Sequence, residues 1–143
     1  VSFYFVKLFY HLYLVMKELV LYVVYYDLFY YFMHRLLHTS YLYPIHKIHH
    51  RRFEPEYHDF YNVHILEVPL TSVGLFFAIY LYKLYIYQLL WAILFINVRG
   101  IMSHDKKFVA FIGDHHLKHH KFFKCNYGEY WMDFLFGTLR VSE

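Results

Sequence analysis

The sequence predicts an all-α protein: an integral membrane bundle of about four hydrophobic helices under a histidine-rich helical cap holding a dinuclear metal site. Three observations predict this. Hydrophobic residues make up 59% of the 143 and aromatic residues 25%, against 17% charged, which is too apolar for a small water-soluble domain. Histidines, at 13, outnumber Asp plus Glu, at 11, and most recur at helical-turn spacing. Charge and histidine are also segregated. Ten of the 14 Lys/Arg fall in segments 34–64 and 104–143, and no histidine occurs between Glu67 and Ser103.

Taken in order, residues 1–16 are apolar apart from Lys7 and His11, enough for a tilted or incomplete span. Lys17 and Glu18 interrupt, and a second helix runs from 19 to His38. Twenty residues rise about 30 Å, one bilayer core. Segment 51–59 is polar, with Glu54-Pro55-Glu56 as a turn signal, and Pro69 suits a helix start. Residues 68–98 are apolar except for Lys83. As one helix they would overshoot the bilayer, at about 46 Å against about 30 Å. The expectation is therefore a hairpin, with helices at 66–82 and 85–103 and a turn at Lys83. A hairpin returns the chain to its starting side. By the positive-inside rule, that histidine-bearing side faces the cytosol.

The length bounds the chain to a single domain over residues 1–143. It opens at Val1 inside an apolar run and reads as an N-terminally truncated fragment. A net charge of +3 without basic–aromatic interleaving gives no nucleic-acid signal. The lone Cys125 excludes an internal disulfide framework.

Nine histidines carry the chemistry. His34 and His38 are one helical turn apart; His46, His49 and His50 form a triplet at i, i+3 and i+4 that would converge on one helix face; His116, His119 and His120 repeat that triplet; His104 stands alone at the end of the apolar stretch. Neutral imidazole suits transition metals, whereas Ca and Mg prefer oxygen. Nine donors are too many for one ion and serve two ions at four to five each. His-Glu-x-x-His is absent, as is the Glu-rich helical motif of soluble di-iron bundles. Two adjacent redox metals at a membrane surface point to oxygen chemistry on a lipid. The competing readings are a membrane metal-binding or transport protein and a catalytically inactive remnant. Transport would place ligands mid-helix, whereas here they lie at helix ends. His11 and His58 have no partner at turn spacing. By spacing alone, His115 with His119 competes with His116 with His120. Asp27 precedes His34 and His38 on the same helical face, and a carboxylate inside an apolar helix points to function. The expected role is to orient an imidazole by accepting its N–H, with a tyrosine hydrogen bond as the alternative. Arg35, Arg51 and Arg52 read as interfacial anchors.

These residues resemble the three histidine boxes of the fatty acid hydroxylase/sterol desaturase superfamily: His34-x3-His38, His46-x2-His49-His50 and His116-x2-His119-His120. The lead-in Asp27-x-x-Tyr30-Tyr31-x-x-His34-Arg35 and the tail Asn126-Tyr127-Gly128…Asp133-x-x-Phe136-Gly137-Thr138 are also similar, so the resemblance covers 27–138. It selects His116 over His115. It implies a membrane di-iron enzyme of the endoplasmic reticulum that uses O2, and electrons from a donor such as cytochrome b5, to hydroxylate or desaturate a sterol or fatty acyl chain. Three positions depart from the family pattern. Ile65 stands where His64-x-x-Glu67 has proline in sterol-type members, leaving His64 and Glu67 as candidates near the metals. Met132 replaces a tryptophan. Gly100 occupies a place where some members carry a histidine, with Asn97 as a weak substitute.

Overall fold

The computed structural model describes residues 2–82 and 85–141, and among them every regular element is helical. The two expected N-terminal helices are one: α1 runs unbroken over Ser2–Leu37. Lys17 and Glu18 do not interrupt it, because both are good helix formers and no Pro or Gly occurs before Pro44. At 36 residues it rises about 54 Å, well beyond a bilayer core. The expected helix at 66–82 is instead divided at Ser72 into α3 (Glu67–Thr71) and α4 (Val73–Tyr82). The turn expected at Lys83 lies outside the described residues. The chain continues as α5 (Ile86–Ser103). The expected four hydrophobic helices are thus three among the described residues, and two, α1 and α5, are long and apolar enough to cross a membrane. The ten residues of α4 reach about 15 Å, roughly halfway through.

α4 and α5 pack against the C-terminal half of α1. Tyr22, Leu75, Ala78, Leu89, Ala92 and Ile96 form the buried core of this bundle. Small residues bring the backbones together: a Cβ on Gly74 would overlap the Tyr25 carbonyl oxygen. In lipid such close packing replaces the hydrophobic effect as the cohesive force. The Tyr25 and Tyr82 hydroxyls meet at 3.0 Å, and the Tyr22 hydroxyl reaches the Tyr85 carbonyl at 3.4 Å, so the end of α4 and the residue before α5 lie beside the middle of α1. Farther toward the N-terminus, Phe3, Tyr4, Phe5, Phe9 and Tyr10 are exposed, an apolar surface suited to lipid.

The remaining elements are short and gather at the other end of α1 and α5. Pro44 sits in the first turn of α2 (Tyr43–His46), where its missing N–H costs nothing. A 3-10 turn follows at His49–Arg51, and another at Tyr57–Tyr61 opens with a reciprocal cap between Glu56 and Asp59. After α5 come α6 (Val109–Ile112), α7 (His115–Phe122) and α8 (Tyr130–Leu135). Gly113, with φ of +82°, separates α6 from α7.

Candidate metal centre

Nine histidines from five elements converge in two adjacent groups. His34, His38, His46, His50 and His119 form one, and His49, His104, His116 and His120 the other; within each, one ring nitrogen per residue lies within 4.8 Å of every other. The triplets do not converge on single faces as their spacing suggested. On α7 the i, i+4 pair His116 and His120 joins the second group, while His119 turns to the first. His46 and His50 likewise join the first group and His49 the second. Each triplet therefore bridges both groups, whose rings meet across His50–His120 with centroids 4.6 Å apart.

The bonds at Nδ1 set the chemistry. His34 donates to the Tyr127 carbonyl, His119 to Cys125 O at 2.7 Å, His104 to Gly100 O at 2.6 Å and His120 to Arg52 O at 3.2 Å. His46 donates to Glu67 Oε1 at 2.8 Å. Carbonyls and carboxylates only accept, so these rings carry their proton on Nδ1 and leave Nε2 as a bare lone pair. Those lone pairs point inward: the Nε2 atoms of His34 and His46 lie 2.9 Å apart. With both protons elsewhere, no hydrogen bond can join them, and two facing lone pairs repel unless a cation lies between. The His104–His116 pair, at 3.0 Å, and the His38–His119 pair, at 3.1 Å, repeat the inward arrangement. Burial, reinforced by neighbouring imidazoles, holds His49, His116 and His119 well below the ordinary imidazole pKa and lowers His38 and His120 to about 3. Burial takes His104 down to about 4. All are neutral near pH 7, the form that binds a metal. The donor set is entirely nitrogen, so both groups could hold a transition metal.

The other sequence candidates fall elsewhere. Glu67 is buried and bonds His46 Nδ1, which fixes the orientation of that ring. Asp27 orients no imidazole: its carboxylate pairs with Arg99, which also reaches Glu129 at 3.1 Å. Arg99 escaped the sequence reading, although a carboxylate in an apolar helix demands a cation and α5 carries one near its end. His64 stays outside both groups and accepts the Leu66 N–H at 3.2 Å. Asn97 donates its amide N–H to the Ile93 carbonyl one turn back at 2.8 Å. No histidine could replace Gly100 in this packing, because even a Cβ there would overlap the Phe60 ring. His115 lies outside both groups and bonds Asp133 at 3.0 Å.

Asp133 explains the tail motif. Buried, it accepts the Tyr127 and Gly128 N–H groups at 2.8 Å each and the Thr138 hydroxyl at 2.6 Å. Burial raises its pKa, but donation from His115, Thr138, Gly128 and Tyr127 outweighs this and holds the carboxyl below its ordinary value. Asn126 takes a left-handed φ of +55°, and its side chain bonds the His115 and Arg140 carbonyls. This bracket aims two flanking carbonyls: Cys125 O braces His119, and Tyr127 O braces His34.

Two cavities adjoin the histidines. One, about 450 Å³ and mostly apolar, lies among α1, α3, α4 and α5 and reaches His49 and His104. The other, about 70 Å³, is lined by Arg99, Glu129, His104 and His116 among others.

Comparison with known proteins agrees with this architecture. A profile described as "Fatty acid hydroxylase" matches residues 19–138. A Delta(7)-sterol 5(6)-desaturase of Gibberella zeae is 30% identical, over 85% of this chain and 41% of its own length. Another from Aspergillus fumigatus is 29% identical, over 87% of this chain and 48% of its own. A third, from Schizosaccharomyces pombe, is 30% identical, over 79% and 40%. The chain thus spans under half the length of each of these relatives. No solved structure matches it. With the profile covering most of its length and the boxes folded into one buried centre, the chain belongs to the fatty acid hydroxylase family.

Proposed function

We propose that this chain is the core of a membrane di-iron oxygenase that uses O2 to desaturate or hydroxylate a lipid. The observation that carries the reading is the pair of inward-facing, largely buried imidazole groups at the end of an apolar cavity. His34, His38, His46, His50 and His119 would hold one iron, and His49, His104, His116 and His120 the other. Bound there, iron supplies the one-electron redox capacity for O2 that imidazole and carboxylate lack. The protein orients the ligands through Glu67 and the backbone carbonyls, excludes water, and offers the lipid an apolar approach.

The similarity to sterol 5(6)-desaturases makes a sterol the favoured substrate and desaturation the favoured outcome. In that reaction the lipid loses two hydrogens, and O2 takes these together with two electrons and two protons to give two waters. Hydroxylation uses the same electrons and protons, placing one oxygen in the lipid and one in water. The electrons come from a donor such as cytochrome b5, and the setting is the endoplasmic reticulum with the histidines on the cytosolic side. A metal transporter is disfavoured, since the histidines lie at helix ends and in the connecting segments and not along a path between α1 and α5.

Purified protein expressed with ample iron should contain close to two irons per chain and consume O2 only with a lipid and a reductant. One metal per chain, or zinc under those conditions, overturns the di-iron reading. A cysteine at Tyr85 should be labelled only from the lumen and one at Lys107 only from the cytosol; the reverse pattern overturns the orientation.

A further inference from the structure

The two cavities meet the metal centre on one side. The apolar cavity ends on His49 and His104, the polar one on His104 and His116. All three imidazoles belong to the four-membered group. Among the described residues, neither cavity is lined by His34, His38, His46, His50 or His119. Those five pack against one another, with ring centroids of His34–His119 only 4.4 Å apart, and His34, His38 and His119 also pack against Tyr127.

The cavities also share a wall: Tyr26, Tyr30, Phe60 and Ile96 line both. Two members stand against the histidines, Tyr30 with its ring centroid 5.1 Å from that of His34 and Phe60 5.6 Å from that of His104, and of these only Phe60 faces the four-membered group. Gly100 makes room for it, since any Cβ there would overlap the ring. Toward the outside, Val68 and Phe76 are more than half exposed, at 53% and 65%, so the rim of the apolar cavity opens to the bilayer.

On the oxygenase reading above, we infer that the four-histidine group is the lipid-facing half of the centre, and that Phe60 determines specificity by closing the deep end of the lipid cavity against the polar one. A lipid chain makes no hydrogen bonds, so its position is set by where the apolar cavity stops. It stops at Phe60. Beyond the ring lie Arg99 and Glu129, which a hydrocarbon could approach only by stripping their water. The carbon presented to His49 and His104 is therefore fixed by the depth this ring allows.

The test uses the full chain, metal-free, in lipid nanodiscs with a diazirine-bearing sterol, followed by mapping of labelled peptides. Label should fall on the segments containing Val68, Phe76, Ile93 and Phe60. Ile93→Trp, which narrows the cavity, should lose most of it. Leu94→Trp, on the same helix but outside the lining, should not. Phe60→Ala should extend label to Ile112 and Gly128 in the polar cavity, with Phe60→Leu intermediate; in the iron-loaded enzyme the oxidised carbon should shift along the lipid. Equal labelling of Ile93→Trp and Leu94→Trp, or an unchanged footprint in both Phe60 variants, overturns the inference. The labelling needs neither iron nor O2, so its outcome is separate from that of the oxygenase reading.

Discussion

The two histidine groups are built from the same three boxes, yet they differ in support and access. The five-membered group is braced by Glu67, 21 residues from His46, and by the Tyr127 and Cys125 carbonyls, 93 and 6 residues from His34 and His119. The four-membered group is braced by two carbonyls only, Gly100 O four residues from His104 and Arg52 O 68 residues from His120. Both cavities reach only the second. One half of the centre is sealed from both cavities and has a carboxylate among its braces; the other is open to both and has none.

The largest effects should come from removing a ligand. His119→Ala and His50→Ala in the sealed group, and His120→Ala and His49→Ala in the open one, should abolish turnover and lower iron content. The comparison is sharpened by residual metal. Loss from the five-membered group leaves four donors, and loss from the four-membered group leaves three, so the latter variants should retain less iron at equal loading. Equal retention would remove the distinction between the halves.

Next in size is the carboxylate brace. Glu67→Ala frees His46 and should weaken metal affinity by about 10–100-fold, the usual effect of losing such a partner. Titration with iron should show the loss confined to one of two sites. A uniform loss at both would mean that Glu67 acts on the fold and not on His46.

Asp133 supports the sealed half through the loop that carries Tyr127. Asp133→Ala leaves buried donors unsatisfied and should cost about 1–3 kcal/mol of stability. Because the folded carboxyl lies below its ordinary pKa, its contribution is complete above that ordinary value, near pH 4. It is lost as pH falls through the lower folded value. Melting curves of the parent and Asp133→Asn should therefore converge on acidification; a constant gap would rule out the carboxylate as the source. Smallest of all are His115→Ala and His58→Ala, which should keep iron and turnover within a few-fold. His115→Ala alone should lower the melting temperature slightly, through Asp133.

Much of this was legible in the residues. Turn-spaced histidines announced eight of the nine that converge, and apolar length announced α5 and the C-terminal part of α1. What spacing could not give was the partition. His46, His49 and His50 read as one face, but a 3-10 turn with a bend at His50 splits them between groups. Asp27 looked like an imidazole partner because it shares a face with His34; its true partner, Arg99, lies 72 residues away on another helix. The break at Ser72 left no Pro or Gly at that position to mark it, and Lys17–Glu18 looked like a boundary only because charge was read as interruption.

The brace between His34 and Tyr127 spans 93 residues. The first histidine of the two groups thus takes its orientation from a segment made long after it. Helices α1, α4 and α5 all precede the bracket around Asn126 and Asp133, so they can insert and pack before it exists. A ribosome stalled before Asn126 would leave a packed bundle whose His34 and His119 lack their braces, and closing the histidine centre becomes an event that follows insertion.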